Sequence, residues 1–189
     1  MNASNVDSMP MRPGDHPDFF KGAGPDGRTR ESTLRLDSSG RFWHDCRIVK
    51  HPGLVAALRR WIGRHPDDGR YVLSNGYDWT YFTVDDAPYL VEGVRFEPDR
   101  VAADVAVALE PERILLRLSD GDEEPWQPEA TRVGSDGALY TTVKRGTPGG
   151  PYEAKFTRHA QTCIAPVLVE EKPDGVAVRF GGRTTPIRG

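Results

Sequence analysis

Cysteine is scarce: only Cys46 and Cys163 occur in 189 residues. Two thiols cannot form a disulfide framework, so folding must rest on an apolar core. The plain reading is a pair of reduced thiols in a cytoplasmic protein. Long hydrophobic runs are missing too, none approaching the ~20 residues that cross a bilayer as a helix. The opening "MNASNVDSMPMRPGDHPDFF" has no basic start followed by an apolar core, which predicts no secretory signal. Charge of one sign is also lacking. With 25 basic and 28 acidic side chains the net charge is −3, whereas a protein that coats DNA or RNA carries a basic excess. The motifs G-x-x-x-x-G-K-[ST], H-E-x-x-H, G-x-S-x-G and C-x-x-C are all absent, so no reaction and no cofactor is written in a motif. One formal match remains, "GAGPDG" at Gly22, Gly24 and Gly27. A dinucleotide loop needs a strand before it and a helix after it, to aim N–H groups at a pyrophosphate. No strand pattern precedes this one and Pro25 removes an N–H, so it is rejected.

What is present reads as α+β. Residues 1 to about 30 are rich in Pro, Gly, Asp and Ser without periodicity and are expected to form a disordered tail. Two lobes are expected after it, over 31–92 and 93–189. "STLRLDSSGRFWHDCRIV" reads strand, turn, strand, with Gly40 free to take a positive φ. "HPGLVAALRRWIGRH" is the clearest helix: Pro52 suits its first position, and Leu54, Val55, Leu58, Trp61 and Ile62 form one apolar stripe. "RYVLS" and "DWTYFTV" follow as strands around the hairpin signal Asn75-Gly76. In the second half "YLVEGVRF", "VAADVAVAL", "RILLRLS" and "LYTTVKR" read as strands. A second helix is expected from Pro151, with Tyr152, Phe156, Ala160, Cys163 and Ile164 as its stripe. "PVLVEE" and "GVAVRFGG" close the chain as a hairpin.

The halves share a plan. "DSSGRFW" and "GSDGALY" each put a glycine turn before a strand carrying an aromatic residue, and a proline-started helix and a hairpin follow in both. Gly40 to Gly137 and Pro52 to Pro151 are nearly equal spacings. This implies a duplicated β-β-α-β-β unit, mainly antiparallel sheets, and a seam between two lobes where a small ligand would sit.

"TYFTVDDAPYLVEG" places Asp85 and Asp86 before Pro88. Neighbours on a strand face opposite ways, so the pair shares a metal or a proton only if the chain bends there. The plainer alternative is a bend whose carboxylates accept backbone N–H groups. "DGDEEPW", residues 120 to 126, lacks the calcium-loop order and reads as a solvated hairpin turn. Tyr77, Trp79 and Tyr81 would line one face of a strand, with Phe82 and Val84 on the other, giving either a core strand or a platform for a flat ligand. Trp43 raises the same choice, and His44 would need a partner to act as a base. Lys144, Arg145, Lys155 and Arg158 gather about the start of the expected second helix, beside the N–H groups of Gly149 and Gly150, a workable anion site.

"LDSSGRFWHDCRIVKHPGLVAALRRWI", "GRYVLSNGYDWTYFTVDDAPYLV" and "YTTVKRG…YEAKFTRHA…PVLVEE" together resemble the bacterial domain-of-unknown-function 1285 family over about residues 31 to 172. Asp86-Ala87-Pro88 is the most specific part, while Asp85 stands where that family usually has Glu and Tyr89 where it usually has Phe. The resemblance implies a duplicated α+β unit whose C-terminal lobe is superficially like a pleckstrin-homology domain. It also implies a nucleotide-like ligand between the lobes and a signalling role, with no established reaction. Residues and resemblance together give the reading: a sensor or regulatory protein that binds a small anionic ligand through Trp43, Trp79, Tyr81, Asp86, Lys144, Arg145 and Arg158. The alternatives are a small hydrolase using His44 with Asp85 or Asp86, and a protein-interaction module that docks a partner on a strand edge or on the aromatic face.

Overall fold

A computed structural model describes residues 12–97, 111–171 and 175–189. β1 (Glu31–Leu36), β2 (Phe42–His44) and β3 (Arg47–Ile48) form an antiparallel meander. α1 (Pro52–Arg60) follows, then a second meander of β4 (Ile62–Arg64), β5 (Tyr71–Ser74) and β6 (Trp79–Val84). A parallel β1–β6 pair, with Arg35 opposite Thr83, joins the two into a six-stranded sheet of order β3-β2-β1-β6-β5-β4. The chain then repeats this plan. β7 (Tyr89–Glu97), β8 (Arg113–Leu118) and β9 (Glu123–Pro125) lead through a short 3-10 turn to β10 (Thr131–Val133), β11 (Leu139–Val143) and β12 (Tyr152–Phe156). Here β12 runs parallel to β7, and the order β10-β11-β12-β7-β8-β9 is the first sheet's order read from the other end. α2 (Arg158–Ile164) comes next, then a three-stranded antiparallel sheet of β13 (Leu168–Glu171), β14 (Gly175–Phe180) and β15 (Arg183–Ile187). No helix of the described residues is long and apolar enough to cross a membrane.

The fold is therefore α+β, mainly antiparallel and repeated, but the phase of the repeat differs from the one read in the sequence. Each unit is three strands, a connector and three strands. Gly40 lies in a β1–β2 turn and Gly137 in a β10–β11 turn, which are different places in the two units. Pro151 starts no helix. It precedes β12, where Tyr152, Ala154 and Phe156 are buried and Glu153 and Lys155 are less so. A spacing of four residues fits a helical stripe and strand alternation equally, so Tyr152, Phe156 and Ala160 satisfy both patterns. The first helix is shorter than expected, because Ile62–Arg64 is the edge strand β4. The crossing between sheets also moves: β7 lies wholly in the second sheet, so the chain crosses at Asp85–Pro88 rather than after residue 92. The expected strand "VAADVAVAL" lies outside the described residues.

The two sheets bury their inner faces in one continuous core. Leu36, Phe42, Leu58 and Phe82 from the first unit meet Tyr89, Val91, Tyr152 and Phe156 from the second. The third sheet extends this core through Val178 and Ile187, and Phe180 stacks on Trp126 with ring centroids 6.3 Å apart. Gly40, at φ +77°, brings the first turn against β7; the positive φ favours glycine, and a Cβ there would lie 2.4 Å from Leu90 Cδ1 and push that side chain aside. Nearby, Arg59 of α1 donates to the Glu92 carboxylate at 2.6 Å and to the Ser119 carbonyl at 2.8 Å.

Residues 12–30 lie against the first sheet instead of standing off as a tail. Phe20 packs 5.4 Å from both the Trp79 and His65 rings, and the Trp79 indole N–H donates to the Phe19 carbonyl at 3.1 Å. Arg30 ties the segment down by donating to the carbonyls of Gly22, Ala23 and Trp79. Two adjacent phenylalanines give this otherwise polar stretch enough apolar surface to be worth burying. Its rejected glycine motif sits among 3-10 turns, with no strand before it among the described residues.

Asp37 organises the first turn. Its carboxylate accepts from the Ser39 and Arg41 N–H groups, from Arg41 Nε at 2.9 Å and from the Trp43 indole at 2.8 Å. Burial works against its charge, yet the hydrogen bonds from Trp43, Arg41 and Ser39 outweigh it and hold the carboxyl at about 2. Asp37→Ala leaves these donors without an acceptor and is expected to cost about 2 kcal/mol, read as a lower denaturant midpoint. The folded carboxyl titrates below its ordinary value of 3.8. Its contribution is therefore complete above roughly pH 4 and is lost as pH falls toward 2, a loss the Asp37→Ala protein should not show. Phe20→Ala is expected to cost roughly 1–3 kcal/mol and to shift the Trp79 emission to the red. A red shift that persists when Trp79 is also changed to Phe would assign it to another tryptophan.

Candidate functional site

The aspartates at the crossing are engaged one to each sheet. Asp85 forms an ion pair with Arg35 of β1. Asp86 accepts from Lys155 Nζ of β12 at 2.9 Å and from the Tyr140 hydroxyl of β11 at 3.1 Å. Ala87 and Tyr89, on either side of Pro88, are buried. The two carboxylates face opposite ways, as alternation requires, and clamp the passage between the sheets. His44 is exposed at the β2–β3 hairpin, with Nδ1 3.7 Å from Asp45, and hydrogen-bonds to neither Asp85 nor Asp86. The hydrolase grouping is not assembled. Among the described residues no cluster of three or more His, Cys, Asp or Glu side chains is placed to hold a metal.

The cations expected to form an anion site are largely spent on carboxylates. Lys144 Nζ pairs with Asp120 at 2.7 Å and with Asp122, and its N–H donates to Glu124 at 3.0 Å. Burial lowers its proton affinity, but these acidic partners raise it further and keep it a cation. The run "DGDEEPW" thus holds a lysine rather than facing solvent unpaired. Lys155 is held between Asp136 and Asp86, both at 2.9 Å, and hydrogen bonds to Asp136, Tyr140 and Asp86 push its proton affinity up. Arg145 is exposed in the β11–β12 turn, and Arg158 is exposed at the first position of α2, a strand away from Gly149 and Gly150.

The aromatic candidates also separate. Trp79 is only 5% exposed beneath Phe20, so it is not an open platform. Tyr81 donates to Asp68 at 2.9 Å and carries the Arg70 guanidinium 3.8 Å from its ring centroid. Trp43 is half-buried and lines a shallow groove of about 550 Å³ with Arg35, Cys46 and Thr83. Trp79, Asp86 and Arg158 each keep separate company, so no single site unites the residues read from the sequence.

A different group assembles where the two units meet at their margin. β4 is the edge strand of the first sheet, and the turn at 148–150 of the second unit lies against it. Gly149, at φ +79°, allows this approach: a Cβ there would lie 3.1 Å from Arg64 N and 2.7 Å from the Tyr152 hydroxyl. Between the two runs a cleft of about 370 Å³, walled by Phe20, Val72, Pro66 and Pro148 and floored by glycine backbone, with Arg64 and His65 as its titratable groups. Arg64 donates from Nη2 to the Tyr71 hydroxyl at 3.1 Å and from Nη1 to the Gly69 carbonyl at 3.4 Å. Its guanidinium carbon lies 4.7 Å and 5.4 Å from the Tyr71 and Tyr152 ring centroids. Its Nε is buried without an acceptor, and among the described residues no carboxylate pairs with it. Burial raises both tyrosine hydroxyls, while the Arg64 charge pulls them back down. His65 is buried, with its ring 3.3 Å from the Phe20 carbonyl and 3.6 Å from Asp68. Gly149 and Gly150 were singled out in the sequence as backbone beside an anion site, but the Gly150 N–H donates to the Thr147 carbonyl at 2.9 Å. Arg64 was not singled out, because a three-residue strand has no readable period and reads as the last turn of the helix before it.

No protein-family model and no curated protein matches the chain. Two solved structures do. A family-1285 protein from Silicibacter pomeroyi DSS-3 shares 17% identity at a TM-score of 0.60, covering 84% of this chain and 80% of its own. Another from Shewanella baltica OS155 shares 15% identity at a TM-score of 0.48, covering 69% and 87%. The first of these carries the assignment: this chain has the fold of a domain-of-unknown-function 1285 protein, the family that its sequence resembles.

Proposed function

We propose that the chain binds a small anionic ligand with a flat apolar part in the cleft between β4–β5 and the 148–150 turn, and that it acts as a sensor or regulatory module. One observation carries this reading: a guanidinium with no carboxylate partner among the described residues and an unmatched Nε borders a largely apolar cleft at the junction of the two units. A buried donor such as Arg64 Nε costs free energy while it lacks an acceptor, and ligand pockets commonly combine apolar walls with one or two placed polar groups. The Phe20 and His65 rings that line the cleft suit an aromatic or nucleotide-like ligand. The ligand class is the one read from the sequence, but Arg64 replaces Lys144, Arg145 and Arg158 as its charge partner. The two cysteines are unpaired, which suits a reducing compartment.

Thermal unfolding with nucleotides, inorganic phosphate and aromatic carboxylates tests the reading. A ligand present at ~100 times its Kd adds about 2.7 kcal/mol, which for a chain of this size raises Tm by roughly 5–10 °C. Arg64→Gln is expected to abolish the shift and Arg158→Ala to leave it intact. A shift that survives Arg64→Gln, or a panel of anions that moves nothing, overturns the proposal.

A further inference from the structure

α2 carries a second chemical feature, in a groove that shares no residue with the cleft. Cys163 Sγ lies 3.6 Å from His159 Nε2, one helical turn away. Ala160 and Ile164 of the same helix are buried, which leaves His159 exposed and Cys163 half-exposed along its flank. The two side chains border a groove of about 400 Å³ whose other walls include Gly93, Arg95, Arg117 and Glu123. Gly93 is bare backbone at a register shift of the β7–β8 pair, and the Arg117 guanidinium lies across it: a Cβ there would be 3.1 Å from Nη2. Arg95 is neutralised by Glu97 and Glu123, at 2.7 and 2.8 Å. Arg117 makes no direct ion pair among the described residues, although Glu123 stands opposite it in the β8–β9 register and its carboxyl is held below its ordinary value by Arg95 and, less, by the Arg117 charge. Cys46, the other thiol, is exposed at the β2–β3 turn, with no hydrogen bond from its sulfur among the described residues. A thiol, an imidazole in contact with it and a guanidinium whose acidic neighbour, Glu123, is already bonded to Arg95 thus share one open groove.

We propose that Cys163 is a nucleophilic thiol that takes up small carboxylate-bearing disulfides as mixed disulfides, with His159 as its base and Arg117 as the anchor for the carboxylate. In the tautomer that leaves Nε2 unprotonated, the thiol proton passes to His159. The thiolate attacks one sulfur of the incoming disulfide, the S–S bond breaks, and the other half leaves as a thiolate that can take a proton from the imidazolium. No further oxidant is needed, since the disulfide is reduced as Cys163 is oxidised. The proposal is independent of the cleft at Arg64.

The test measures the reaction of the folded full chain with dianionic dithiobis(nitrobenzoate) and with dicationic cystamine at neutral pH, scoring each cysteine by peptide mass. His159→Gln should slow Cys163 at least about tenfold, since a positioned base contributes that much or more, while Cys46 keeps its rate and so reports an intact fold. Arg117→Ala should lower the preference of Cys163 for the anionic reagent by roughly fivefold, as expected for one lost charge partner. Cys163 reacting at an unchanged rate in His159→Gln, or showing the same anion preference as Cys46 and keeping it in Arg117→Ala, overturns the proposal.

Discussion

The rest of the structure depends on the packing of two repeated sheets into a single core. Among the described residues neither six-stranded sheet has a helix layer large enough to cover its inner face, because α1 offers Leu58 as its one buried side chain and α2 only Ala160 and Ile164. Each sheet therefore covers the other, with Phe42 and Phe82 on one side and Tyr89, Tyr152 and Phe156 on the other. A sheet that cannot find a second apolar layer does not persist in water, so this mutual burial dominates over every hydrogen bond and ion pair described above. It also decides where a cleft can exist. Side chains fill the centre of the junction, and a cleft lies at its margin, where edge strand β4 meets a turn rich in glycine.

Charge follows from the same constraint. Bringing the sheets together carries Asp85 and Asp86 to the point of crossing, where Arg35 and Lys155 meet them. It carries Lys144 to the acidic β8–β9 hairpin and Arg59 to Glu92. Partly buried charges persist when paired, and these are. Against that background Arg64, lying between two tyrosine rings, is a partly buried cation with no carboxylate partner among the described residues.

The sequence showed that acidic and basic residues cluster, but not which would meet. Lys144 and Asp120 lie on different hairpins, and Asp86 and Lys155 at opposite ends of the second unit, so their pairing is invisible to any local pattern. Trp79 and Phe20 illustrate the same limit. The strand "DWTYFTV" was legible as a strand with two apolar faces, yet the partner for one face came from a segment whose composition reads as a tail. The β12 strand was misread for another reason: a four-residue spacing belongs to both periodicities, and the deciding residue, Ala154, is too small to weigh in a pattern although it is fully buried.

By itself the sequence determined the strands long enough to show alternation, the Asp37–Gly40 and Asn75–Gly76 turns, the start of α1 at Pro52, and the existence of a repeat, because these rest on interactions within a few residues of one another. Tertiary structure alone decided the phase of that repeat, the parallel β1–β6 and β7–β12 pairs, and the placing of Arg64 beside Gly149 and of Cys163 beside Gly93. Those depend on which distant surfaces bury one another, and burial is a property of the whole packed chain rather than of any stretch of it.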